Sequence, residues 1–217
     1  MSELTALEPF TTFTAIAVPL DIANCDTDQL MPARYLRIAV NDQRYPDFLL
    51  HDLRFNADGS SKHFVFDRTE FSGARIVVGD INFGCGSSRE VAVYGLTANN
   101  IRSVIAPSFG DIFYNNCIKN GVLPVRLPAD ICAVLRSQLH DSPGSEIAID
   151  LVARSVTGPD GTVFPFAIEQ FDQHRLVNGL DDISLTMQYE PAIQAFLSRY
   201  KQAHRWAATA DPKCSSG

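Results

Sequence analysis

The sequence predicts an α/β fold with a sandwich-like or barrel-like core, and three observations carry that expectation. Short apolar, β-branched runs such as ARIVVGDINF (74–83) and IRSVIAP (101–107) have the length and make-up of buried strands. Stretches with helical spacing of apolar residues stand between them. The elements follow one another in both β-α and β-β order, which does not suit a regular doubly wound sheet.

In chain order, TFTAIAVPL (12–20) reads as the first strand, followed by the polar punctuation DIANCDTDQLMP (21–32) and a short helical stretch near 33–38. The aromatic-rich segment NDQRYPDFLLHDLRF (41–55) is irregular and reads as a loop with a turn of helix. The run 74–83 leads into GCGSSRE (84–90) and then VAVYGLTANN (91–100), so the local order is strand, glycine turn, helix start. After the strand 101–107, Ser108 and Asp111 have the S-x-x-D form of a helix start, and the helix stops at Gly121. VLPVRL (122–127) is extended, and PADICAVLRSQLH (128–140) is a helix with Pro128 near its start. EIAIDLVARSV (146–156) and TVFPFAI (162–168) flank GPDG as a hairpin. EQFDQHRLVN (169–178), closed by Gly179, and a stretch over 190–206 form two C-terminal helices. The expectation is one domain over 1–206, with 207–217 a disordered tail.

Composition narrows the function classes. The 217 residues are 46% hydrophobic and 20% charged, enough for a substantial core. The net charge of −7 with 18 Lys plus Arg repels phosphate backbones, so nucleic acid is not an expected partner. No apolar run reaches the roughly 18 to 20 residues of a membrane span, and the opening MSELTALEPF has no basic cluster, so a cytoplasmic location is expected. Cys25, Cys85, Cys117, Cys132 and Cys214 are odd in number and scattered, which argues against a disulfide framework. Neither clustered thiols nor paired Cys or His spacings occur, so no metal site is expected in this chain.

GCGSSRE concentrates the chemistry. Gly84 and Gly86 permit positive φ and close backbone approach, Ser87 and Ser88 offer hydroxyls, and the following helix start presents amide groups to an anion. Arg89 adds a planar fork for a carboxylate. The plainer alternative is a tight turn whose serine caps the helix. A dinucleotide fingerprint is excluded, because Arg89 stands where its third glycine belongs; a nucleophile elbow is excluded, because the order is G-x-G-S-S. Cys85 has no histidine near it in sequence and reads as a small buried packing residue, and Cys117 as core. Asp26, Thr27 and Asp28 have the character of caps and turn formers.

Four segments, NFGCGSSRE (82–90), DTDQLMPARYL (26–36), IAPSFGDIFYNNCIKNGVLPV (105–125) and LVNGLDDISLTM (176–187), closely resemble the signature segments of 3-isopropylmalate dehydratase small subunits, over roughly residues 8 to 200. The resemblance implies an aconitase-type swivelling β/β/α domain, barrel-like, working with a large iron–sulfur subunit as a heterodimer or heterotetramer. It implies no cofactor in this chain and a 4Fe-4S cluster on the large subunit. The implied reaction interconverts 2-isopropylmalate and 3-isopropylmalate through 2-isopropylmaleate, in leucine biosynthesis. By the same resemblance Ser87 is the catalytic base, Ser88 and Arg89 bind a carboxylate of the small dicarboxylate substrate, and Gly86 and Arg37 are further substrate-binding candidates.

The chain also departs from the family pattern. Val91, Val93 and Tyr94 stand where the family has His, Pro and Trp, and the segment after YLR lacks the usual glycine-containing loop. Selectivity is expected from that loop, with Tyr35, Leu36, Ile38 and Arg44 as its candidates. Related hydro-lyases acting on citraconate, dimethylmalate or homoaconitate would share every motif and differ there. A non-catalytic binding protein of the same fold is the reading from another class, against which the intact Ser87, Ser88 and Arg89 count.

Overall fold

Strand β1 (Thr12–Pro19) lies inside a seven-stranded mixed sheet of order β4-β3-β2-β1-β5-β6-β7. The computed structural model describes residues 7–204 and 206. On one side of β1, strands β2 (Ile76–Val78), β3 (Ser103–Ala106) and β4 (Leu123–Arg126) run parallel, with Ala17 opposite Ile76, Ile76 opposite Ser103 and Ser103 opposite Leu123. On the other side, β5 (Glu146–Asp150), β6 (Ser155–Thr157) and β7 (Val163–Pro165) form an antiparallel meander, with Thr12 opposite Asp150.

The sequence explains the division. Every residue of IVV and SVIA is buried, as both-face coverage of parallel strands requires, whereas β5 alternates. Val18, Val77 and Val104 point to a cluster shared with helices α3 (Val91–Ala98) and α4 (Asp111–Lys119). Ala17, Ile76, Val78 and Ile105 point to the opposite cluster, covered by Cys132, Leu135 and Leu139 of α5 (Ala129–Asp141). Each of those leucines, fully buried, contributes about 1.5 to 3 kcal/mol of transfer free energy.

Two short helices, α1 (Thr27–Leu30) and α2 (His51–Arg54), lie in the connection between β1 and β2, and α6 (Gln170–Val177) follows β7. The chain divides into two compact units, Met1–Gly179 and Leu180–Gly217. The second holds α7 (Asp182–Met187) and α8 (Glu190–Ala203). On α8, Ile193, Phe196, Leu197 and Tyr200 fall at helical i, i+3, i+4 and i+7 spacing, and all four are exposed. Among the described residues no helix is long and apolar enough to cross a membrane.

Several sequence expectations are corrected. The strand expected over 74–83 ends at Val78, because the Phe83 ring packs where a Cβ of Gly79 would stand and the chain must turn. The helical stretch expected at 33–38 is a 3-10 turn, Ala33–Tyr35, and the helix proper is α1, started by an Asp26–Gln29 capping box. Ser108 does not cap α4; its Oγ accepts the amide of Asn82, and α4 begins behind Gly110 without a side-chain cap. EIAIDLVARSV splits into β5 and β6, because Arg154 takes a left-handed φ of 57° and reverses the chain. Helix α7, capped by Asp181, has no counterpart in the sequence reading. The tail expected over 207–217 lies outside the described residues.

Candidate active site

Three loops meet beyond the C-terminal ends of β1, β2 and β3, the edge where open α/β sheets bind ligands. The loop after β1 is zipped to the loop after β2. Asn24 N–H donates to Ile81 O (2.8 Å), Gly84 N–H to Cys25 O (2.7 Å) and Thr27 N–H to Cys85 O (2.9 Å). The loop after β3 joins them: Phe83 N–H donates to Ser108 O and Gly110 N–H to Phe83 O, both at 2.9 Å.

Glycine is required within this junction. Gly84 has φ 68°, and a Cβ there would stand inside the Phe113 ring, so α4 packs directly on the loop backbone. Gly86 has φ 94° and lies over Asp26 and Thr27. The chain beyond it is fixed by two side chains of the DTD segment. Thr27, buried, donates from Oγ1 to Ser87 O at 3.0 Å, and Asp28 forms an ion pair with the Arg89 guanidinium. Sequence reading treated Asp26, Thr27 and Asp28 only as caps and turn formers. Asp26 is a cap, but Thr27 and Asp28 hold the site loop.

Ser87 and Ser88 are exposed, and among the described residues neither hydroxyl has a protein hydrogen-bond partner. Helix α3 starts with Glu90 at its N-cap and without a side-chain cap, so neither serine is spent as a capping group. A cavity of about 240 Å³ opens between Gly84, Gly86, Ser87 and the start of α4 at Gly110, Asp111 and Ile112. Asp111, expected only as a helix-start residue, thus brings a carboxylate to the wall of the Ser87 cavity.

Cys85 is half-buried, not buried as expected, with Sγ 3.5 Å from Asn24 O. Cys117 is core, and burial raises its thiol well above the ordinary range. Burial, then the charge of Asp26 and the neighbouring Cys85, pushes the Cys25 thiol up to about 12. Among the described residues no three His, Cys, Asp or Glu side chains converge as metal ligands.

The candidates of the loop after α1 are distributed differently. Tyr35 stacks on Phe48 with ring centroids 4.2 Å apart, and Ile38 packs against the core. Leu36 and Arg37 are exposed. Arg44 is engaged by Asp42 through Nε and Nη2 at 3.1 and 2.9 Å, and that contact draws the Asp42 carboxyl down to about 2. A separate cavity of about 580 Å³ is lined by Arg34, Tyr35, His51, Asp52 and Lys62; none of the loop's candidates lines the Ser87 cavity.

Known proteins resemble this chain over most of its length. The aconitase C-terminal domain model matches residues 7–130, and the model for the C-terminal domain of 3-isopropylmalate dehydratase small subunits matches residues 182–210. A 3-isopropylmalate dehydratase small subunit of Rhodopseudomonas palustris (strain TIE-1) is 42% identical over 93% of this chain and 100% of its own. That of Jannaschia sp. (strain CCS1) is 40% identical over 92% of this chain and all of its own. The crystal structure of 3-isopropylmalate dehydratase from Methanocaldococcus jannaschii superposes with a TM-score of 0.60 at 24% identity, covering 85% of this chain and 98% of that one.

Proposed function

The chain belongs to the family of 3-isopropylmalate dehydratase small subunits, hydro-lyase subunits of the aconitase superfamily, and from that premise we propose that Ser87, Ser88 and Arg89 perform its chemistry. The reaction is the interconversion of 2-isopropylmalate and 3-isopropylmalate through 2-isopropylmaleate, in leucine biosynthesis. The carrying observation is that the GSSR loop is clamped by Thr27 and Asp28 while both serine hydroxyls face solvent without a structural task.

Arg89 keeps donors beyond the one given to Asp28, and these bind a substrate carboxylate. Ser88 donates to the same group, and the bare Cα of Gly86 lets the carboxylate approach the backbone. Ser87, as its alkoxide, takes the proton from the carbon next to one carboxylate as the C–O bond on the adjacent carbon breaks, the leaving hydroxide being one that a Lewis acid on the partner would accept; Ser87 gives its proton back to the carbon that lost the hydroxyl when hydroxide adds to the other carbon. A serine hydroxyl is a weak base unless amide groups stabilise its alkoxide in a water-poor site, and we assign that task to the amides of the glycine turn and of the start of α3.

A small subunit implies a large one. We assign the 4Fe-4S cluster to that partner, as the family membership implies, and no step is assigned to a cluster on this chain. The apolar stripe on α8 is a surface of the kind a partner covers. Arg37 is kept as a further substrate-binding candidate, and Tyr35, Leu36, Ile38 and Arg44 are assigned to substrate selection, where differences of one methylene are worth about 1 to 3 kcal/mol.

The test is to co-purify the chain with its large partner under anaerobic conditions and assay isopropylmalate, citraconate, dimethylmalate and homoaconitate. The highest kcat/KM is expected for isopropylmalate. A higher value for another acid would replace the substrate while leaving the hydro-lyase class, and absence of turnover with all four would leave a binding protein of this fold.

A further inference from the structure

At the opposite ends of β2 and β3 from Ser87, the sheet brings two arginines side by side. Arg75 immediately precedes Ile76 and Arg102 immediately precedes Ser103, and those two strand residues are parallel partners. Arg102 N–H donates to Arg75 O at 2.8 Å, which holds the two backbones together. Like charges on neighbouring strand positions repel each other. Among the described residues one carboxylate answers them: Glu8 accepts from Arg102 Nη1 at 2.7 Å, and Arg102 Nη2 donates to the backbone carbonyls of Glu8 and Pro9. Arg75 lies over the Phe13 ring, 4.8 Å from its centroid, and its guanidinium has no hydrogen-bond or ion-pair partner among the described residues.

The pair is under-served in a second way. Among the described residues three buried side-chain polar atoms lack a partner, and two of them are Arg75 Nε and Arg102 Nε. Leaving such donors unmet is costly, so their concentration at one place calls for an acceptor. Both arginines line a cavity of about 230 Å³, together with Glu8, Thr97, Asn100 and Asn120. That volume is below the usual range for drug-sized ligands and suits a small ion or a short metabolite.

We propose that this cavity is a binding site for a small oxyanion, a phosphate or a short carboxylate, bridged by the guanidinium groups of Arg75 and Arg102. An oxyanion supplies the charge that one glutamate leaves unbalanced, and its oxygens match the planar donor edge of a guanidinium. Asn100 and Asn120 provide neutral amides on the same wall, and the site shares no lining residue with the Ser87 cavity. Burial and the nearby charge of Arg75 lower the Arg102 pKa, an unfavourable pairing that a bound anion would reverse.

The experiment is calorimetric titration of the full-length chain with sodium phosphate and, separately, with succinate, at ionic strength held constant with sodium chloride. Arg89→Gln removes the anion contact of the active-site loop, Arg75→Gln removes the unpaired cation, and Asn100→Asp places a carboxylate in the cavity. Asn100 has φ 60°, a conformation that aspartate shares, so this third variant is expected to fold like the parent. Saturable one-site binding of phosphate or succinate is expected in the parent and in Arg89→Gln, weakened at least tenfold in Arg75→Gln and in Asn100→Asp; the tighter of the two anions identifies the ligand class. Absence of saturable binding of both anions in the parent, binding that disappears in Arg89→Gln, or binding unchanged in Asn100→Asp overturns the proposal.

Discussion

Asp28 and Arg89, 61 positions apart in the chain, meet as an ion pair at the edge of the parallel strands. The Asp28 side chain is 52% exposed and that of Arg89 19%, so the aspartate is the solvated partner and the direct pair energy is small. Its value lies in aiming the guanidinium. In the assembled enzyme, Asp28→Ala is expected to raise KM by about three- to tenfold, from roughly 1 kcal/mol of lost positioning, with Asp28→Asn intermediate. A lowered KM in Asp28→Ala would show that the aspartate competes with substrate.

Arg89→Lys keeps the charge and loses the fork. A charge-assisted contact is worth about 1.5 to 3 kcal/mol, so kcat/KM should fall by roughly ten- to 150-fold. Steady-state kinetics of the complex settle it, and unchanged kinetics would remove Arg89 from substrate binding.

Ser87 and Ser88 are expected to separate kinetically. Ser87→Ala removes the proposed proton acceptor, with kcat expected to fall about 100- to 10,000-fold and the unfolding midpoint unchanged, because among the described residues its hydroxyl holds nothing in the fold. Ser88→Ala should act chiefly on KM. Equal effects of the two variants on kcat would contradict the division of labour.

Gly84→Ala puts a methyl group into the Phe113 ring at a left-handed φ. Backbone strain of about 1 to 2 kcal/mol and overpacking of about 1 to 3 kcal/mol add up to roughly 2 to 5 kcal/mol of stability lost in urea unfolding. A midpoint equal to the parent's would mean that α4 does not pack on the loop as described.

Cys25 carries a pH dependence of known sign. Its folded-state thiol is raised to about 12 from an ordinary 9.0, so on the alkaline side the unfolded chain loses its proton first. The contribution is intact below about 9 and is lost as pH climbs toward 12. Under reductant, the stability advantage of the parent over Cys25→Ala should shrink between pH 9 and 10.5. A constant advantage across that range would remove Cys25 as the source.

What the sequence made legible was local. The β-branched runs IVV and SVIA, the helix ending at Gly121 and the glycine turn of GCGSSRE each declare themselves within a dozen residues, because strand burial, helix stops and glycine turns are short-range physics. The pairing of Asp28 with Arg89 and the bond from Thr27 to Ser87 O were not legible, since both depend on β1 and β2 lying side by side. Ser108 misled for the same reason: its capping pattern was genuine, but the amide of Asn82, 26 positions earlier, took the hydroxyl. The break at Arg154 was hidden because the alternation continues on both sides of it.

The position of β1 inside the sheet has a consequence for how the chain is made. It leaves the ribosome early, yet one of its two edges is closed only by β5, residues Glu146–Asp150. At about 5 to 20 residues per second, the nascent chain carries that edge open for roughly ten seconds. An open strand edge is a template for pairing with other chains. Truncations or ribosome stalls before residue 146 should therefore yield aggregated material, and co-translational chaperones should matter more for this polypeptide than its modest size suggests.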